Sequence, residues 1–294
     1  MKRLILISAL IAFSNIGCSD NTEAVSEIEP EVVAPENKFE LYVNGALTDL
    51  TARNAFLIED KIIFQTRSFD FEPTIKISKE GKIGQIHIDY FEFGVWRKFY
   101  NFRNFSSNFY SLEITSYDTI LNRIEGNFSG FLYADPDNLN SQSKFVNGSF
   151  SLPVIESVPI ILGLNNTAKI NGVDWKTIHH YMRKDNPSDY HNLTLHTLSD
   201  DQFKILLKFN RQNSTPGIYS FNNNSITNSV KIAKYNTETH EYLVYDCTGT
   251  LEVTERVFNL IRGTYSFVGQ NPNDASDTIE VTNGNFFLNF PQFD

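Results

Sequence analysis

From Lys38 onward, apolar and polar residues alternate with a period of two. Ile75 and Ile77 alternate with Lys76 and Ser78, and Ile86, Ile88 and Tyr90 alternate with His87 and Asp89. Further along, Phe203, Ile205, Leu207 and Phe209 are interleaved with Lys204 and Lys208. Successive side chains of a strand point to opposite faces, so these runs predict half-buried strands with one apolar and one wet face. Asn44-Gly45, Glu80-Gly81, Asn147-Gly148 and Asn283-Gly284 punctuate them as turn or bend signals. No long stripe of helical spacing stands out, and one short helix or an irregular loop is expected near Leu47–Phe56. The pattern predicts an all-β protein.

The runs also repeat. Leu112-Glu113-Ile114-Thr115 returns as Leu251-Glu252-Val253-Thr254, and Asn122-Arg123-Ile124-Glu125-Gly126-Asn127-Phe128-Ser129 returns as Asn259-Leu260-Ile261-Arg262-Gly263-Thr264-Tyr265-Ser266. Asn147-Gly148-Ser149-Phe150 then returns as Asn283-Gly284-Asn285-Phe286, and Val43-Asn44-Gly45 near the start matches Ile170-Asn171-Gly172. Matches in one order at a nearly constant offset predict two tandem antiparallel meander domains, 38–153 and 162–294, joined by 154–161. About eight strands each can curl into a barrel-like roll, the alternative being a β-sandwich. Gly126, Gly148, Gly263 and Gly284 sit inside apolar strands, where bulges or tight bends of a curving sheet are expected.

The first residues have a different character. Lys2 and Arg3 precede a short apolar run, Leu4–Phe13, and Ser14, Asn15, Ile16 and Gly17 lead to Cys18. The run is too short to span a bilayer and reads as a cleaved signal over residues 1–17. The Gly-Cys junction resembles the lipobox of bacterial lipoproteins, although Asn15 stands where Leu is usual. That resemblance implies lipidation of Cys18 and attachment to a membrane through the lipid. Residues 18–37 are rich in Glu and Asp, hold Pro30 and Pro35, and lack Lys and Arg, which predicts a flexible tether. Its Ser19-Asp20 start resembles the acidic export signal of surface-exposed Bacteroidota lipoproteins.

Removing residues 1–17 takes away two basic and no acidic groups, so the formal charge of −10 becomes −12. An acidic chain is a poor partner for nucleic acid or an anionic membrane surface, so the lipid must supply the attachment. With Cys18 lipidated, Cys247 is left alone in an apolar run and reads as a buried, inert thiol.

The second repeat reads Ala168-Lys169-Ile170-Asn171-Gly172-Val173-Asp174-Trp175, then Gly217-Ile218-Tyr219, Gly263-Thr264-Tyr265-Ser266-Phe267 and Val281-Thr282-Asn283-Gly284-Asn285-Phe286. That succession resembles an uncharacterised β domain of Bacteroidota envelope lipoproteins. The first repeat departs from it, with Ala46–Leu50 where the Trp would fall. The resemblance implies an outer-membrane lipoprotein of the cell envelope and supplies no catalytic residues.

Residue chemistry narrows the choice little. His179 and His180 are adjacent, so on a strand they face opposite ways and do not share a metal; no metal or other cofactor is expected. Asp135–Asn140 and Asn271–Asp277 are rich in oxygen, yet such residues are also what hairpin loops favour. No nucleophile elbow or phosphate-cradling glycine loop is present. Aromatic residues crowd the stretch from Tyr90 to Tyr110, and Tyr90, Phe93, Trp96 and Tyr100 are the candidate ligand-binding rings. The expected function is non-catalytic: an envelope binding or structural module for a glycan or another envelope protein. The alternative is a carbohydrate-active hydrolase using Asp and Glu, whose two carboxylates would face each other about 5–10 Å apart.

Overall fold

The structure is a computed structural model that describes residues 36–48, 54–58, 61–65, 71–156, 164–184, 191–210 and 212–289. The signal segment 1–17, Cys18, the linker as far as Pro35 and residues 157–161 of the joining segment lie outside these.

Among the described residues the first repeat carries ten strands. They are β1 (Lys38–Val43), β2 (Ala46–Thr48), β3 (Ala55–Ile58), β4 (Lys61–Gln65), β5 (Phe71–Ser78), β6 (Ile83–Glu92), β7 (Val95–Asn101), β8 (Tyr110–Asp118), β9 (Arg123–Tyr133) and β10 (Ser143–Glu156). Their hydrogen-bonded order is β2-β1-β10-β3-β4-β5-β6-β7-β9-β8, and β10 also pairs with β9. Followed from β10 through β3 to β7, then β9, the pairs return to β10: seven strands close a barrel. Two seams complete it. One is the parallel pairing of Val154–Glu156 with Ala55–Leu57, the other the short contact of Tyr100 and Asn101 with Tyr133 and Leu132. Inward side chains such as Leu41, Phe64, Ile88, Phe99, Ile124 and Leu132 fill the interior.

Several boundaries differ from expectation. Val154–Glu156 are strand rather than joining segment, because the edge of β3 takes up their backbone groups. Near Leu47–Phe56 the described residues on either side of 49–53 are the strands β2 and β3, with no helix. The glycines mark close approaches, and Gly284 also sits at a bulge, where its strand slips against both neighbours between Val281 and Asn285 and Asn283 takes φ 52°. Each lies directly opposite an aromatic residue, Gly126 to Phe150 and Gly148 to Phe128, then Gly263 to Phe286 and Gly284 to Tyr265. A Cβ on Gly148 would sit 2.0 Å from the Glu40 carbonyl oxygen and 2.5 Å from the Phe128 ring. A bulge common to both repeats lies on the neighbouring strand, at Thr115 between Ile114 and Ser116 and at Thr254 between Val253 and Glu255. It is the last residue of the repeated quartet in both repeats.

The second repeat follows the same order with one addition. Its strands are β11 (Leu164–Ile170), β12 (Val173–Lys176), β13 (His179–Lys184), β14 (Asn192–Leu198), β15 (Phe203–Asn210), β16 (Gly217–Phe221), β17 (Ser229–Asn236), β18 (Glu241–Val244), β19 (Asp246–Val257), β20 (Leu260–Asn271) and β21 (Asp274–Asn289). One sheet runs β12-β11-β21-β20-β19-β16, and the other β13-β14-β15-β17-β18. Here the sheets face each other across a shared core instead of closing, so among the described residues this repeat is a sandwich. Only Tyr245 separates β18 from β19, whereas Phe102–Phe109 intervene between β7 and β8. A polar bridge ties the sheets: fully buried Asn166 donates to Thr197 at 2.8 Å and accepts from the Tyr265 hydroxyl at 2.7 Å.

The repeats pack into one compact unit. Phe102, Tyr133 and Tyr235 are buried between them, with Phe105, Phe109, Leu139 and Tyr242 around. The Asp200 carboxylate, on the β14–β15 turn, accepts the backbone N–H of Ile83 at 2.9 Å and of Ser107 at 2.7 Å.

Candidate functional site

On β1, residues 39, 41 and 43 point into the barrel, which turns Glu40 and Tyr42 outward. Register then lines up two polar rows across four strands. One is Glu40, Ser149, Asn127 and Glu113; the other is Tyr42, Asn147, Ser129 and Ser111. These residues line a trough of about 480 Å³ on the outer face of β1, β10, β9 and β8. Ser149 donates to Glu40 at 3.2 Å. The next outward position on β9 and β10 is aromatic: Phe131 and Phe145 are a cross-strand pair with ring centroids 5.2 Å apart, and both are exposed. The trough thus has hydroxyl, amide and carboxylate groups along its floor and two rings at one rim. Outward Asn and Ser on consecutive strands were visible in the sequence, but only the register shows that they meet.

The aromatic stretch 90–110 divides by strand parity. Tyr90 points inward at the barrel mouth, half-buried beneath the ammonium of Lys144, which lies 4.7 Å from its ring and 3.1 Å from Glu92. Trp96 faces outward and pairs with Phe91 at 5.4 Å, both exposed. Phe93 sits on the β6–β7 turn at 88% exposure, with Val95 beside it also exposed. Tyr100 faces outward lower down, 5.6 Å from His87, and lines the cleft between the repeats. Phe99 is core, and Phe102, Phe105 and Phe109 fill the boundary between repeats. The four candidate rings therefore do not form one shelf. Phe93 and Trp96 belong to an exposed hairpin tip, Tyr90 to the barrel mouth and Tyr100 to the cleft.

That hairpin has an unusual turn. The β1–β2 and β11–β12 hairpins turn on Asn44-Gly45 and Asn171-Gly172, with positive φ at both central residues. The β6–β7 hairpin turns on Phe93-Gly94 with the same signs, φ 53° and 80°. Asn tolerates this left-handed conformation and a bulky residue does so poorly, at a cost of roughly 1 kcal/mol. Set beside protein-family models, curated proteins and solved structures, the chain matches none. Any functional reading therefore rests on the geometry of its own residues.

The remaining candidates are accounted for locally. The Asp135 and Asn138 side chains accept the N–H groups of Asp137 and Asn140, and Asp277 accepts from Tyr245 and Asn271 at 2.6 and 2.9 Å. Among the described residues no group of three or more His, Cys, Asp or Glu is placed to hold a metal ion. Cys247 is buried, its thiol donates to the Tyr245 carbonyl, and burial pushes it up to about 11. Glu40 and Glu113 stand three strand spacings apart, about 14 Å along the sheet, wider than the facing carboxylates of glycosidases.

Proposed function

We propose that this chain is a non-catalytic glycan-binding module of the bacterial cell envelope, held at the outer membrane by lipid on Cys18. The observation that carries the reading is the exposed Phe131–Phe145 pair at the rim of the polar trough. Sugar rings offer an apolar face for stacking and hydroxyls around their edge, and the trough supplies a ring platform beside Ser, Asn and Glu side chains. The Phe91–Trp96 tip at the same end of the barrel adds a second aromatic contact. The attachment rests on the Lys2–Arg3, Leu4–Phe13 and Gly17-Cys18 pattern.

Two experiments test the parts separately. A glycan screen with the full-length protein should find a ligand whose affinity drops about fivefold or more in Phe131→Ala, consistent with loss of one stacked ring. Trp96→Ala should weaken it by less. Equal binding by wild type and Phe131→Ala, at equal stability, would remove the trough from contention. For the anchor, Cys18→Ala should abolish lipid labelling and release the protein from the membrane fraction. Retention of that variant would overturn it.

A further inference from the structure

Among the described residues β8 is the longest strand at the end of a sheet, and no strand pairs with its free edge. In the second repeat the matching edge is taken. β19 carries Leu251-Glu252-Val253-Thr254 where β8 carries Leu112-Glu113-Ile114-Thr115, and β16 runs antiparallel along Gly249–Val253. That pairing stops at the Thr254 bulge, and β8 has its own bulge at Thr115, so the corresponding free stretch is Tyr110–Ile114. β16 comes from the connection between β15 and β17. The corresponding connection, between β5 and β6, is the short turn 79–82, which reaches β8 only at one point: a Cβ on Gly81 would lie 3.2 Å from Ile114 Cγ1.

Burial records the difference. Tyr219 and Phe221 of β16 pack on the second core, and Leu251 and Val253 beside them are fully buried. Leu112 and Ile114 pack against the first core but stay half-buried. An open edge presents a row of backbone N–H and C=O groups that can template a further strand, and natural edges are commonly guarded by Lys or Pro. Tyr110–Ile114 holds neither. Its one charge is Glu113, exposed on the outer face in the same row as Glu40, in a chain of net charge −10.

We propose that β8 binds an extended segment of another polypeptide, added antiparallel along Tyr110–Ile114 as β16 is added to β19. In that register the segment's third and fifth residues face inward and are apolar, as Tyr219 and Phe221 are. Its second residue lies beside Glu113 on the outer face and is Lys or Arg, since opposite charges across a strand pair are favourable and like charges are not. Main-chain hydrogen bonds supply affinity and the alternate side chains supply specificity. A second copy of this chain is disfavoured as the occupant, because it is equally acidic and would bring a second Glu113 to the same face. The edge borders the trough, but the proposal depends neither on the glycan reading nor on the lipid anchor.

Hydrogen exchange on the free full-length chain tests the edge itself. The fastest amides of Tyr110–Ile114 should exchange about tenfold or more faster than any in Gly249–Val253. The binding probe is a labelled synthetic peptide of residues 215–223, which contains the β16 sequence, carrying Ile218→Lys. Fluorescence anisotropy should show saturable binding, and the peptide should slow exchange at Tyr110–Ile114; the same peptide with Tyr219→Ser and Phe221→Ser should not bind. Glu113→Lys in the protein should weaken the lysine peptide about fivefold, and a peptide with Ile218→Glu should recover the loss. Glu238→Lys, on the β17–β18 turn, changes the net charge equally and should do neither. Equal protection of the two edges in the free chain, or no binding of the lysine peptide, would overturn the proposal. Protection of Tyr110–Ile114 that rises with protein concentration would also overturn it, by making a second copy the occupant.

Discussion

Phe93 carries two features that sit badly together in a purely structural residue: a left-handed backbone and a ring almost wholly in solvent. Replacing it with Asn, the residue of the two sister turns, should relieve the backbone and remove no buried contact. Phe93→Asn is therefore expected to stabilise the fold by about 1 kcal/mol, read as a higher urea midpoint with an unchanged slope. A lower midpoint would mean that the ring packs in a way its exposure conceals. Nothing in the composition singled out this residue's backbone. Phe-Gly between two apolar runs reads as strand, and only the pairing of Glu92 with Val95 makes it a two-residue turn. Parity was legible for Trp96 and Tyr90, since they alternate along their strands. Their common fate was not, because facing outward and facing the barrel mouth depend on where the sheet closes.

At the scale of elements, the repeated motifs are the places where backbone meets ring. Gly126 and Gly148 cross with Phe150 and Phe128, and Gly263 and Gly284 cross with Phe286 and Tyr265, so each ring lies over a glycine that leaves room for it. Gly148→Ala would force the Phe128 ring and the β1 backbone apart, and a cost of roughly 1–3 kcal/mol is expected, measured by chemical denaturation. A neutral result would show that β1 can move away freely. The sequence exposed these positions as repeats because the packing is the same in both halves. It did not expose the difference in closure. β7 reaches β9 because Phe102–Phe109 give the chain room to turn, and β18 passes into β19 through Tyr245 alone. Such differences lie in the length of a connection, which hydrophobic periodicity does not encode.

For the molecule as a whole, the cleft between repeats makes stability depend on pH. Burial, and then the His180 imidazole and the cations around it, hold His179 down to about 3, and burial lowers His87 as well. Unfolded imidazoles titrate near 6.5. Between that pH and the folded values the unfolded chain binds protons that the folded chain refuses, so stability is present above about 6.5 and falls on acidification. The urea midpoint should decline from pH 7 to pH 5, and less steeply in a His179→Gln/His180→Gln double variant; equal slopes would place the sensitivity elsewhere. Sequence alone placed these histidines on opposite faces of a strand and did not show what packs against them, because that wall comes from the other repeat. At the far end of the barrel from the β6–β7 tip, buried Arg123 grips the Glu36 carbonyl and the Asn37 side chain while bonding to Ser151. Just beyond it, β1 lies antiparallel along β10 from Lys38 to Val43. A pull applied upstream of Glu36, along the strand, would load those cross-strand hydrogen bonds together in shear rather than one after another. Tension entering from that side would thus meet a whole strand, and the Arg123 clamp would be the first contact to bear it.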